Sequence, residues 1–245
     1  MANESSFLPK TWSLPDAIRN RLGRDAGPQR SIHEEGHLLV ILHQIPAPNE
    51  LQRRPALFWR QPEGEWRSNL GGAAIACLNE HLESFEQKIV QLELAEHKAS
   101  TATEYHTVLE ELAPVVRTSR GLHRALQQAR DLVKSDRNLI NFRDQAASIE
   151  RNAELLLQDA HFGLNFTVAK QAEAQAETAR QMSVTAHRLN ILAAIFLPLT
   201  ALASVFGMEI HSGLPDRPGL WALLCAAGIA VGLVLSVFLT RRSRG

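Results

Sequence analysis

Cysteine is nearly absent from this chain: Cys77 and Cys225 are the only two among 245 residues. They stand far apart in apolar helical surroundings, which excludes a disulfide framework or a thiolate metal cluster and leaves packed thiols. An excess of either charge is also missing, with 26 basic side chains against 26 acidic. A neutral chain without a long basic run lacks the electrostatic footprint of a nucleic-acid binder, so no nucleic-acid partner is expected. No P-loop, dinucleotide-binding glycine fingerprint or nucleophile elbow occurs, and an enzyme is not expected. The opening "MANESSFLPK" has no apolar core and does not read as a signal peptide; a cytoplasmic N-terminus is expected.

What is present is apolar length. Ile191 to Met208 is 18 residues interrupted only by the polar Thr200 and Ser204, and Leu220 to Thr240 is 21 residues without a charge. As helices they would span roughly 27 and 31 Å, against a hydrocarbon core of about 30 Å. Between them "EIHSGLPDRPG" holds two prolines and two glycines, which makes a turn. The pattern is a membrane hairpin in a lipid bilayer. Arg180, His187 and Arg188 precede it and Arg241, Arg242 and Arg244 follow it, while the turn has Arg217 against Glu209 and Asp216. The positive-inside rule puts both termini in the cytoplasm.

The expected fold class is an α+β membrane protein: a small mixed α/β cytosolic region over 1–70, a helical cytosolic bundle and stalk over 71–190, and a two-helix transmembrane domain over 191–240. "SLPDAIRNRLG" fits a short helix with Ser13 as cap and Gly23 as stop. "GHLLVILHQ" (36–44) reads as a strand. "ALFWRQPEGEWRS" (56–68) reads as a hairpin across which Trp59 and Trp66 can pack. From Gly71 apolar residues recur at steps of three and four: Ala74 to Leu92, then Tyr105 to Val133 with Pro114 as an expected kink, then Leu139 to Ala160 after "KSDR". From Asn138 to Met208 the only proline is Pro198, and Gly163 is the only interior glycine. One helix of about 70 residues, on the order of 100 Å, is predicted. Its Ala-rich part (169–181) suits close packing against copies of itself in a coiled-coil stalk.

Two motifs bear on chemistry. "HEEGH" (33–37) matches the zinc-protease pattern, but Gly36 and the strand behind it oppose the helix that pattern needs. In an extended chain the imidazoles would be about 13 Å apart, too far to share one metal. It reads as a polar turn before a strand. Thr200 and Ser204 share a helix face that Ser183, Ala186, Leu189 or Asn190, Ala193 and Leu197 extend. Hydroxyls there either bond back to the preceding turn or line a wet path, and one stripe leaves both open. Gly228 and Gly232 form a G-x-x-x-G, suited to close packing of the two spans.

A long cytoplasmic helix entering the membrane, "PLT" (198–200), "FGME" (206–209), a short loop, a second span and a basic tail together resemble the CorA-type divalent-cation transporters. The N-terminal part is similar to the small bacterial branch with a reduced cytosolic domain. The resemblance implies an inner-membrane homopentamer whose first spans line a pore carrying Mg2+, with Co2+, Ni2+ or Zn2+ as alternatives, and no resident cofactor. It places Gly207, Met208 and Glu209 on the family's Gly-Met-Asn filter, with Glu209 as the metal-facing residue. Thr200 falls on the intramembrane hydroxyl ring, Leu189 and Leu197 on the apolar constriction, and Pro198 on the pore-helix proline.

Position 209 departs from the family, which has Asn there. A ring of carboxylates attracts cations but resists full ionisation, because neighbouring like charges raise each pKa. That departure motivates two rivals. One is a non-conducting, membrane-anchored coiled-coil scaffold built on the same frame; the other is a proton-coupled Zn2+ carrier.

Overall fold

The computed structural model describes residues 7–46 and 54–207, with 223, 226–230 and 234 beyond them. The second span is therefore described only at those few positions, which are helical, and Cys225, Gly232 and the basic tail lie outside the described residues.

The chain begins with helix α1 (Asp16–Arg19), shorter than the sequence suggests. Pro15 takes the N-cap position and no side chain caps the helix, so Ser13 does not have the expected role. Four antiparallel strands follow in the order β1 (Arg30–Glu34), β2 (His37–His43), β3 (Pro55–Arg60) and β4 (Trp66–Ser68). Strand β2 is apolar without alternation because both faces of the sheet are covered. Leu38, Val40, Leu42, Ala56 and Phe58 pack against the helices, while Leu39, Ile41, Leu57 and Trp59 pack against Trp12, Leu14, Ile18 and Leu22.

The β3–β4 register corrects the expected tryptophan pair. Trp59 stands opposite Arg67, and Trp66 stands opposite Arg60. Adjacent positions on paired strands point to opposite faces, so the two indoles separate. Trp59 is tilted against Trp12 at 5.5 Å under the Arg67 guanidinium, while Trp66 joins the helical side.

Three long helices follow: α2 (Ala74–Lys98), α3 (Ala102–Leu132) and α4 (Asn138–Gly207). The residues at the three- and four-step seam are the buried ones, from Leu78 to Leu92, Val108 to Val133 and Leu139 to Ala160. Cys77 is a half-buried free thiol beside that seam. A capping box starts α3: Thr101 Oγ1 accepts from the Glu104 N–H, and the Glu104 carboxylate accepts from the Thr101 N–H. The Ser100 backbone N–H donates to the same carboxylate and, with Thr101, holds its pKa below the usual range. Helix α3 runs through Pro114 unbroken.

Gly121, which weakens α3 by propensity, has a structural reason. A Cβ there would run into the Gln29 carboxamide. Gln29 donates to the Thr118 carbonyl at 2.8 Å and accepts from the His43 N–H at 3.2 Å, tying the β1–β2 side of the sheet to α3. Gly121→Ala therefore improves helix propensity by up to about 1 kcal/mol yet displaces two hydrogen bonds worth about 0.5–1.5 kcal/mol each. Net destabilisation of about 1 kcal/mol is expected from thermal unfolding; a stabilised variant would contradict the arrangement.

Residues 1–169 form one compact unit and 170–245 a second. In the first, sheet and helices share one core. In the second, α4 continues as a helix whose residues 170–190 are exposed on every side. Helix α4 is the one described helix long and apolar enough to cross a membrane.

Candidate functional site

The predicted pore residues sit on the C-terminal part of α4. At 100° per residue, Leu189, Leu197, Thr200 and Ser204 fall within an arc of about 80°, one face of the helix. All four are exposed, Leu189 and Leu197 by 60% and 66%. The Thr200 hydroxyl donates to the carbonyls of Phe196 and Leu197, at 2.9 and 3.0 Å. That is the back-bonding alternative for this residue; it leaves the oxygen lone pairs able to accept from water. Pro198 lies inside the helix and has no N–H, so the carbonyl four residues earlier, on Ala194, lacks its helical donor. Gly207 is the last residue of α4, while Met208 and Glu209 lie outside the described residues.

The "HEEGH" segment holds the polar turn read before a strand, and the strand β1 ahead of it makes the segment a β-hairpin. Glu35 and Gly36 both take positive φ, 51° and 76°, and form the two-residue turn between β1 and β2. Glu34 pairs with His37 and His33 with Leu38, so the two imidazoles lie on opposite faces of the hairpin. His37 Nδ1 accepts the Trp59 indole N–H at 3.2 Å. A lone apolar residue, Ile32, gave β1 little signal; the Glu-Gly pair flanked by extended residues was the cue for it.

A feature not legible in the sequence lies between α2 and α4 in the first unit. Glu86, Glu93, Glu96 and Asp159 line an open groove of about 520 Å³ whose floor includes Ile89 and Leu156. Gln145 donates to Glu86 at 3.0 Å, and Glu96 contacts His97 at 2.9 Å. Among the described residues no group of three or more His, Cys, Asp or Glu is placed to hold a metal ion.

A family profile described as "CorA-like Mg2+ transporter protein" matches residues 28–242, nearly the whole chain. The chain belongs to the CorA-like Mg2+ transporter family. No curated protein matches it. Among solved structures, the ZntB cytoplasmic domain from Vibrio parahaemolyticus RIMD 2210633 matches with a TM-score of 0.52 at 13% identity, over 66% of this chain and 80% of that one. That likeness is one of fold. The full-length CmaX protein matches with a TM-score of 0.49 at 16% identity, over 96% of this chain and 83% of its own. The CorA magnesium transporter from Methanocaldococcus jannaschii matches with 0.36 at 16% identity, over 88% and 79%. CorA-like membership accounts for a described helix long and apolar enough to cross a membrane.

Proposed function

We propose that this CorA-like protein is a homopentameric inner-membrane channel that passes Mg2+ or a related divalent cation into the cytoplasm. The observation that carries the reading is the helical phasing that puts Leu189, Leu197, Thr200 and Ser204 on one face of α4, in a chain of a transporter family. Copies of that face around one axis give two apolar rings and two hydroxyl rings in sequence. Leu189 and Leu197 act as the gate, and Thr200 and Ser204 as polar stations for the ion's water shell, which Mg2+ gives up reluctantly. Gly207, Met208 and Glu209 form the outer filter, with both termini cytoplasmic. A doubly charged ion gains about 4.6 kcal/mol per 100 mV of membrane potential, so no nucleotide is needed.

Purified protein in liposomes with a trapped divalent-sensitive dye tests this. Uptake driven by an inside-negative potential is expected from the wild type and from Glu209→Asn. Glu209→Ala should slow it about tenfold or more, because a ring of charge at a pore mouth concentrates cations to that degree. Absence of uptake from both wild type and Glu209→Asn would leave the non-conducting scaffold in its place.

A further inference from the structure

Helix α4 meets α2 on one side and α3 on the other. The α2 side comprises Gln145, which bonds Glu86, and the groove residues Asn152, Leu156 and Asp159. The α3 side comprises Glu150 beside His123 and Glu154, which accepts from Arg120 at 2.7 Å. At 100° per residue these two sets lie roughly 180° apart around α4, so the bundle has two opposite flanks.

Their charges are opposite too. The α2 flank carries Glu86, Glu93, Glu96 and Asp159, of which Glu93 and Asp159 meet no partner among the described residues. Val90 and Leu94 at its edge are exposed by 52% and 54% and Leu155 by 47%. The α3 flank carries the exposed Arg117, Arg120 and Arg124 at steps of three and four. Glu154 is taken by Arg120 and Glu150 by His123, which leaves Arg117 and Arg124 with no acidic partner among the described residues.

We propose that the acidic α2–α4 groove is the docking surface for the arginine-bearing α3 flank of a second copy of this chain. Unlike, opposite flanks suit a head-to-tail contact, which closes into a ring when the rotation allows. Height along the bundle agrees. Arg120 is level with Glu154 and His123 with Glu150, while Glu86 is level with Gln145 and Glu93 and Glu96 lie along Asn152 to Asp159. Rotation about an axis parallel to α4 preserves height, so the neighbour's Arg117, Arg120 and Arg124 arrive level with the acids. Val90, Leu94 and Leu155 are covered in the same step. Charge complementarity fixes register and rejects like-charged pairings more than it adds raw affinity. The inference rests on the proposed assembly around one axis.

Two measurements on the full chain test it. With Glu93→Cys and Arg124→Cys in one chain, mild oxidation in native membranes should give a covalent ladder of subunits that neither single variant gives; no ladder from the double variant overturns the docking. For the purified protein in detergent, Glu93→Arg or Arg124→Glu should each raise the concentration at which the assembly dissociates at least tenfold, at unchanged helix content. The two reversals combined should restore it. Single reversals that leave a wild-type oligomer unchanged overturn this contact alone, whereas a wild type that is monomeric at every concentration overturns the assembly itself.

Discussion

Asp136→Ala is expected to cost the cytosolic unit about 3–5 kcal/mol, the range for breaking a buried ion pair by removing one partner. Asp136 sits in the short break between α3 and α4 and does three things at once. Oδ1 accepts the Asn138 N–H at 3.0 Å, at the start of α4. Oδ2 accepts from Arg60 Nε at 2.8 Å and, at a longer 3.4 Å, from the Trp66 indole. The pair is well covered, with side chains 14% and 9% exposed. Removing the carboxylate leaves a guanidinium in a site built for its counter-charge and uncaps the long helix, the latter worth about 0.5–2 kcal/mol by itself. Thermal unfolding of the full chain in detergent should show the loss. Asp136→Asn should recover the cap but not the charge pair, and Arg60→Met beside it should return much of the remainder. A loss under about 1 kcal/mol for Asp136→Ala would mean that water replaces the pair at little cost.

The second large effect is acid destabilisation through His81. Its ring is 6% exposed, packed on Phe58 and edge-on to Phe85, and its Nε2 meets no hydrogen-bond partner among the described residues. Burial pushes its pKa down from 6.5 to about 4, against a smaller opposing pull from a hydrogen bond with the His43 backbone. The unfolded chain therefore takes up a proton that the fold refuses. Above about pH 6.5 the imidazole is neutral in both states and stability is complete; it falls as pH drops through that value toward about 4. The full difference amounts to about 3 kcal/mol. The Tm of the cytosolic transition, followed from pH 7 to 4.5, should fall less steeply in His81→Phe than in the wild type. Equal slopes would mean that the ring is hydrated in solution.

The helices were legible because their seam is regular. Every core position of α4 from Leu139 to Ala160 follows steps of three and four, and "KSDR" marks the break before it. Strand β1 was not, because its ladder partner β2 and the Glu35–Gly36 turn decide its conformation rather than its own composition. Trp59 and Trp66 could be assigned to faces only once register was known. At the candidate site, spacing alone put Leu197, Thr200 and Ser204 on one face. The α2–α4 groove arises from residues some sixty positions apart, a separation that no local pattern encodes.

Pro198 has a consequence for the way the protein enters lipid. The orphaned Ala194 carbonyl sits within an apolar stretch, where nothing in hydrocarbon can donate to it and the penalty reaches several kcal/mol. Water, or a donor from an adjoining helix, removes it, so the backbone itself calls for a polar neighbour at that depth of the bilayer.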